Sequence, residues 1–163
     1  IIPHRDFTIK TRSRPPLGTG NRHFTGLSHD DSMPQTADVD NYRRLITHFR
    51  EKQQLTAQRY NSYEYLECSK ETDTLLISYG ALSRIAYYFK NDFALYRPIR
   101  MFPIVEEIKI VASRYKRILI VEMNMGQYAR EIERILHREV EFIPILGGRI
   151  DLKEIKQKIY GQK

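Results

Sequence analysis

From about residue 72 onward the chain alternates short apolar runs with stretches of helical periodicity, and no other feature constrains its fold as much. The runs TLLISY (74–79), FALYR (93–97), RILIVE (117–122) and VEFIPI (140–145) read as strands. Between them the spacing predicts a helix near 81–90, a second from about Pro103 to Tyr115, and a third from about Gln127 to His137. In the second, Val105, Ile108, Ala112 and Tyr115 keep helical spacing; in the third, Tyr128, Ile132, Ile135 and Leu136 do. Pro98 is expected to end the second strand, and Pro103 to stand at the first position of the helix that follows. A last helix begins at Asp151, with Glu154 three residues on as in a capping box and Leu152, Ile155 and Ile159 facing inward. RILIV is apolar at every position after Arg117, as a central strand covered on both faces requires. Pro144 cannot donate to a ladder and limits the fourth run to an edge or a strand end. Strand and helix alternating in such short units mean an α/β fold: a three-layer sandwich with a mainly parallel, right-handed sheet.

Two regions precede this domain, which is expected over 71–163. Residues 1–37 hold four of the seven prolines and three of the eight glycines and show no sustained apolar period. They read as a proline-rich linker or arm that packs on something outside this chain. Residues 38–70 read as a connecting helix. Asp38 can cap its start, and Tyr42, Leu45, Ile46 and Phe49 form an i, i+3, i+4, i+7 stripe. The following REKQQLTAQRYNS is polar, so the helix loses its apolar face until Tyr60, Tyr63, Tyr65 and Leu66 restore some of it.

Composition removes several function classes. A single cysteine, Cys68, leaves no internal disulfide, zinc cluster or iron–sulfur site that this chain makes alone. No apolar run approaches the ~18 residues of a membrane helix, so no membrane partner is expected, and a thiol-poor chain fits a reducing cytoplasm. The net charge of +7 invites a nucleic-acid reading, but the basic residues are spread along the chain and alternate with acids, as in Arg130, Glu131, Glu133 and Arg134. A nucleic-acid binder concentrates its surplus on one face, and most of the eleven tyrosines sit at packing positions, so no nucleic-acid partner is expected.

Few motifs carry chemistry. GTGNRH (18–23) has His23 where a dinucleotide fingerprint needs its third glycine, and it follows two prolines instead of a strand. No phosphate-binding Gly-x-x-x-x-Gly-Lys-Ser/Thr loop or Gly-x-Ser-x-Gly elbow is present. His29, Asp30 and Asp31 set an imidazole beside two carboxylates, but three adjacent loop residues read better as a turn whose Asp side chains bond nearby backbone N–H groups. The most informative stretch is RILIVEMNMGQYAREI (117–132): a buried strand, a turn carrying Asn124, Gly126 and Gln127, then a helix. Ser78-Tyr79-Gly80 ends the first strand in the same sense, so both turns belong on one sheet edge, where ligands and partners of parallel sheets sit. Spacing leaves two readings open: glycines that merely permit tight turns, or an edge built for contact.

At these residues the chain resembles a known family. TGLSHDD, followed by Pro34, Thr36 and the charged helix RLITHFREK, resembles the linker of 2-oxoacid:ferredoxin oxidoreductase α subunits, where the pattern is Thr-Gly-Leu-Glu-His-Asp-Glu. LLISYGALSR, YRPIRMFPIVEEI and ILIVEMNMGQYAREI resemble that subunit's next domain in the same order, so the likeness runs from about Arg14 to Asp151. The linker is most similar to that of the 2-oxoglutarate-type subunits. Ser28 stands where the family has an acid, and FPI (102–104) departs from its Pro-Phe-Pro.

The resemblance implies a heteromeric enzyme that oxidatively decarboxylates a 2-oxoacid to an acyl-CoA, with ferredoxin as electron acceptor. Thiamine diphosphate, magnesium, an iron–sulfur cluster and CoA are its implied cofactors, none bound by this chain alone. The chain then corresponds to the carboxyl-terminal part of the α subunit, resembling the transketolase C-terminal domain. Its implied partners are the β subunit and the N-terminal α-subunit domain, with ferredoxin reached through the complex. No catalytic residue and no metal ligand is expected here, and the chain alone is not expected to turn over. His29, Asp30, Gly80, Asn124, Gly126 and Gln127 are the residues expected at an interface or near the active site. A free-standing α/β interaction or signalling module is the competing reading, although Tyr79 and Gly80 stand where a receiver-like domain needs its acid.

Overall fold

The computed structural model describes residues 26–28, 37–60 and 62–161. The arm's remaining residues, GTGNRH, His29 and Asp30 lie outside the described residues. The chain divides into two units, residues 1–51 and residues 52–163.

Helix α1 runs Val39–Arg59. Asp38 Oδ1 accepts from the Asn41 N–H at 2.8 Å, the side-chain cap expected at that position. Tyr42, Ile46 and Phe49 keep their helical stripe but are exposed. The helix ends at Arg59, short of the 38–70 span expected, because Tyr63–Leu66 is strand β1. Its four residues alternate half-buried and exposed, and Tyr63 and Tyr65 pack on the core. That is a period of two, not a helix end.

Four more strands follow: β2 Thr74–Ser78, β3 Ala94–Pro98, β4 Arg117–Glu122 and β5 Glu141–Pro144. The sheet order is β1-β3-β2-β4-β5, with β1 antiparallel to β3 and every other pair parallel. β2 and β4 are central, and Pro144 closes edge strand β5. Alternate residues of the central strands feed two separate cores. Leu75, Ile77, Ile118 and Ile120 face helices α3 (Ile108–Ala112) and α4 (Gln127–Leu136). Leu76, Leu119 and Val121 face α2 (Leu82–Ala86) and α5 (Leu152–Tyr160). The fold is therefore α/β in three layers, with helices on both faces of a mostly parallel sheet.

Helix α3 differs from its expected span, and α5 from its expected capping box. Pro98 does end β3, but Pro103 opens no helix: its peptide bond to Phe102 is cis and α3 begins only at Ile108. The intervening residues anchor on the sheet instead, with Val105 buried and Met101 and Ile104 packed on the core. At α5, Asp151 caps the Lys153 N–H at 2.8 Å, while Glu154 turns away to pair with Lys158 at 2.6 Å.

Candidate functional site at the carboxyl edge of the sheet

The parallel strands run β3-β2-β4-β5, so connections reverse direction between β2 and β4. From β2 the chain leaves into α2 on one face; from β4 it leaves into α4 on the other. The crevice between such diverging turns is where open α/β sheets bind ligands and partners. Gly80, Asn124, Gly126 and Gln127 all lie in these two turns, at the ends of adjacent strands.

Glu122 organises the crevice. It ends β4 with no exposed surface. Its Oε2 accepts from the Tyr79 hydroxyl at 2.7 Å and the Tyr128 N–H at 3.2 Å, and its Oε1 from the Ala129 N–H at 3.3 Å. Gly126 stands at the N-cap of α4 and has no side chain to offer, so a carboxylate from the preceding strand satisfies the free N–H groups. A negative charge there also complements the helix dipole. The Tyr79 phenol is pushed up to about 12, first by burial and then by its hydrogen bond to Glu122 and that group's charge, while the Asn124 hydrogen bond opposes the rise. Its ring meets Tyr128 edge-on, with centroids 5.2 Å apart.

Asn124 ties the two turns together. Its Nδ2 donates to the Tyr79 hydroxyl at 2.8 Å, and its Oδ1 accepts from the Gly126 N–H at 3.0 Å and the Gln127 N–H at 3.4 Å. Gln127 is exposed, yet its Oε1 accepts from the Met125 N–H at 3.0 Å, and Arg130 Nη2 donates to the Met125 carbonyl at 3.1 Å. Gly126 has φ +87°, and a Cβ there stands 3.3 Å from the Phe142 ring, so both conformation and close approach call for glycine. Gly80 has φ +58° with open space around it, so only its conformation does.

The amides expected to reach across a boundary are thus largely engaged within the chain. The edge also offers apolar side chains outward: Met123 and Met125 after β4, Phe102 after β3 and Leu146 after β5 are exposed, Met125 by 69% and Phe102 by 68%. The residues sequence reasoning missed are Glu122 and Tyr79, which hold the turns. The available signal was a lone carboxylate closing an otherwise apolar strand, followed by a helix whose cap position is glycine.

Among the described residues no three His, Cys, Asp or Glu side chains converge as metal ligands do, Cys68 is one partly buried thiol, and the Glu122 oxygens already accept three hydrogen bonds. No membrane-spanning helix occurs among the described residues, none being long and apolar enough.

No family model matches the chain. It is 32% identical, over its full length, to the 2-oxoglutarate synthase subunit KorA of Methanothermobacter marburgensis, and covers 47% of that protein. The KorA subunit of Methanothermobacter thermautotrophicus is also 32% identical, across 86% of this chain and 40% of the relative. The chain thus spans about half the length of the relatives it matches. Among solved structures, the 2-oxoglutarate:ferredoxin oxidoreductase of Magnetococcus marinus, with 2-oxoglutarate, coenzyme A and succinyl-CoA bound, superposes with a TM-score of 0.67 at 17% identity. That match covers 90% of this chain and 27% of the other, and it supports the three-layer fold. Along its whole length the chain is therefore similar to part of the KorA subunit of 2-oxoglutarate synthase.

Proposed function

We propose that this chain is the carboxyl-terminal portion of the α-type subunit of a 2-oxoacid:ferredoxin oxidoreductase, with 2-oxoglutarate as the favoured substrate. The assembled enzyme converts a 2-oxoacid and CoA to acyl-CoA and carbon dioxide and delivers two electrons to ferredoxin. Thiamine diphosphate with magnesium, and the iron–sulfur cluster, are held by the other domains and subunits, in the cytoplasm. This portion's work is structural. It presents the carboxyl edge of its sheet to the N-terminal half of the subunit or to the β subunit. Gly80 and Gly126 shape the two turns, Asn124 locks them together, and Gln127 faces the boundary. His29 and Asp30 belong to the linker that reaches the neighbouring domain. The carrying observation is the full-length likeness to KorA at under half of that subunit's length, joined to an apolar edge on a rigid frame.

The test is reconstitution. Alone, the chain gives no 2-oxoglutarate-dependent dye reduction. Combined with the N-terminal portion and a β subunit, it restores CoA-dependent reduction of ferredoxin. Turnover by the isolated chain overturns the reading.

A further inference from the structure

On the α2 side of the sheet a half-open cavity of about 540 Å³ lies over β3 and β1, walled by α2 and the 3₁₀ turn Tyr87–Phe89 that continues it. A parallel sheet is ordinarily covered on both faces, and a cavity of this size can hold a small ligand. Strand register divides its floor into two ends. Leu95 of β3 stands level with Leu66 of β1, and Arg97 level with Glu64. Ile77 pairs with Tyr96 in the parallel ladder, so Ser78, one residue on, comes level with Arg97 on the same face. The apolar end is therefore Leu95 and Leu66, with Tyr87 in the wall. The polar end, toward the carboxyl ends of β2 and β3, is Ser78, the Arg97–Glu64 pair and, from the start of α2, Arg84. This end carries one uncompensated charge. Arg97 Nη1 donates to Glu64 Oε2 at 3.0 Å, so those two cancel. Arg84 is exposed, and its guanidinium has no hydrogen bond or ion pair among the described residues. Ser78 is only 2% exposed, yet its hydroxyl likewise has no hydrogen-bond partner among the described residues. A buried hydroxyl left unpartnered is unfavourable, and this one lines the cavity.

We propose that this cavity binds a small monocarboxylate with an apolar body. The body lies on Leu95 and Leu66 beside Tyr87, and the carboxylate meets Arg84 and Ser78 at the other end. A guanidinium offers parallel N–H donors to two carboxylate oxygens, and the serine hydroxyl supplies one more donor without adding charge. One ligand then covers the bare sheet face, pairs the free cation and satisfies the buried hydroxyl. The inference does not depend on the oxidoreductase reading, since every group it uses lies between Glu64 and Arg97 and its test needs no partner subunit.

The experiment is calorimetric titration of the full chain at pH 7 with octanoate, and with octan-1-ol, which has the same body and no charge. Octanoate should bind saturably at a single site, and octanol about tenfold more weakly. Arg84→Gln should weaken octanoate by about tenfold and leave octanol unchanged. Leu66→Asp, which sets an anion on the floor of the cavity, should abolish octanoate binding. No saturable octanoate binding, equal affinity for the acid and the alcohol, or octanoate binding unaltered by either substitution overturns the proposal. Should the variants fail to fold, the backbone amide resonances of Leu66, Ser78 and Leu95 in the unaltered chain decide. They should move on titration with octanoate and saturate, and shifts confined to residues elsewhere, such as the exposed Met123 and Met125, count against the site.

Discussion

Glu122 and Gly126 hold the same turn by different means, and substitutions should separate them. Replacing Glu122 with alanine strands two helix N–H groups and the Tyr79 hydroxyl in the interior, so Glu122→Ala should lose about 3 kcal/mol in urea unfolding. Glu122→Gln keeps one acceptor oxygen and should lose clearly less. Gly126→Val meets both a left-handed backbone and the Phe142 ring, and should lose about 2 kcal/mol or more. Gln127→Ala is a surface change, expected within about 0.5 kcal/mol, whereas Ile120→Ala in the core should lose about 3 kcal/mol. If Gln127→Ala proves as damaging as Ile120→Ala, Gln127 supports the core and does not face a boundary. Asn124, Gly126 and Gln127 were legible because glycine and short amides punctuate a turn in sequence. Glu122 was not, because a carboxylate after an apolar run looks like the strand's exit to solvent. Only the three-dimensional turn brings the helix N–H groups back onto it.

Among the elements, the parallel strands were readable because burial on both faces demands unbroken apolar runs, and β2, β3, β4 and β5 all sit where those runs lie. Strand β1 escaped because YEYL is too short for a period of two to stand out behind a long helix. Helix α3 was overextended because Val105 keeps helical spacing while its residue serves the core from an irregular segment. Two side-chain devices stabilise elements at the sheet's β5 side. Asp151 caps α5, and Asp151→Ala should destabilise by about 1 kcal/mol, with faster amide exchange in the helix's first turn. Arg117 grips Glu141 through Nε at 2.6 Å and Nη2 at 2.5 Å, joining the start of β4 to edge strand β5. That grip, chiefly its hydrogen bonds, lowers the Glu141 carboxyl below its ordinary value. Its contribution is therefore present above the ordinary carboxylate pKa and is lost as the pH falls through the lowered one. Glu141→Gln should remove that part of the acid sensitivity, read as a shallower fall in melting temperature below about pH 4.5.

For the whole molecule, tyrosines decide the alkaline limit. Tyr79 and Tyr160 are pushed up to about 12, and burial raises Tyr96, Tyr115 and Tyr128 as well. An unfolded tyrosine loses its proton near pH 10. Between there and the raised values the unfolded state sheds protons that the folded state keeps, so stability is intact below about pH 10 and falls as the pH rises further. Tyrosinate absorbance should accordingly appear together with unfolding, and Tyr160→Phe should make the decline shallower. The molecule's other collective property is its carboxyl edge. Both backbone polar groups of Met125 are hydrogen-bonded, and the turn is closed at its base by Glu122 and across its middle by Asn124. The exposed methionines are consequently displayed from a loop already frozen in one shape. A surface that docks there has only side-chain rotamers to order on this side, so the loop-ordering part of the association cost is already met and more of the contact energy is left to lengthen the residence time.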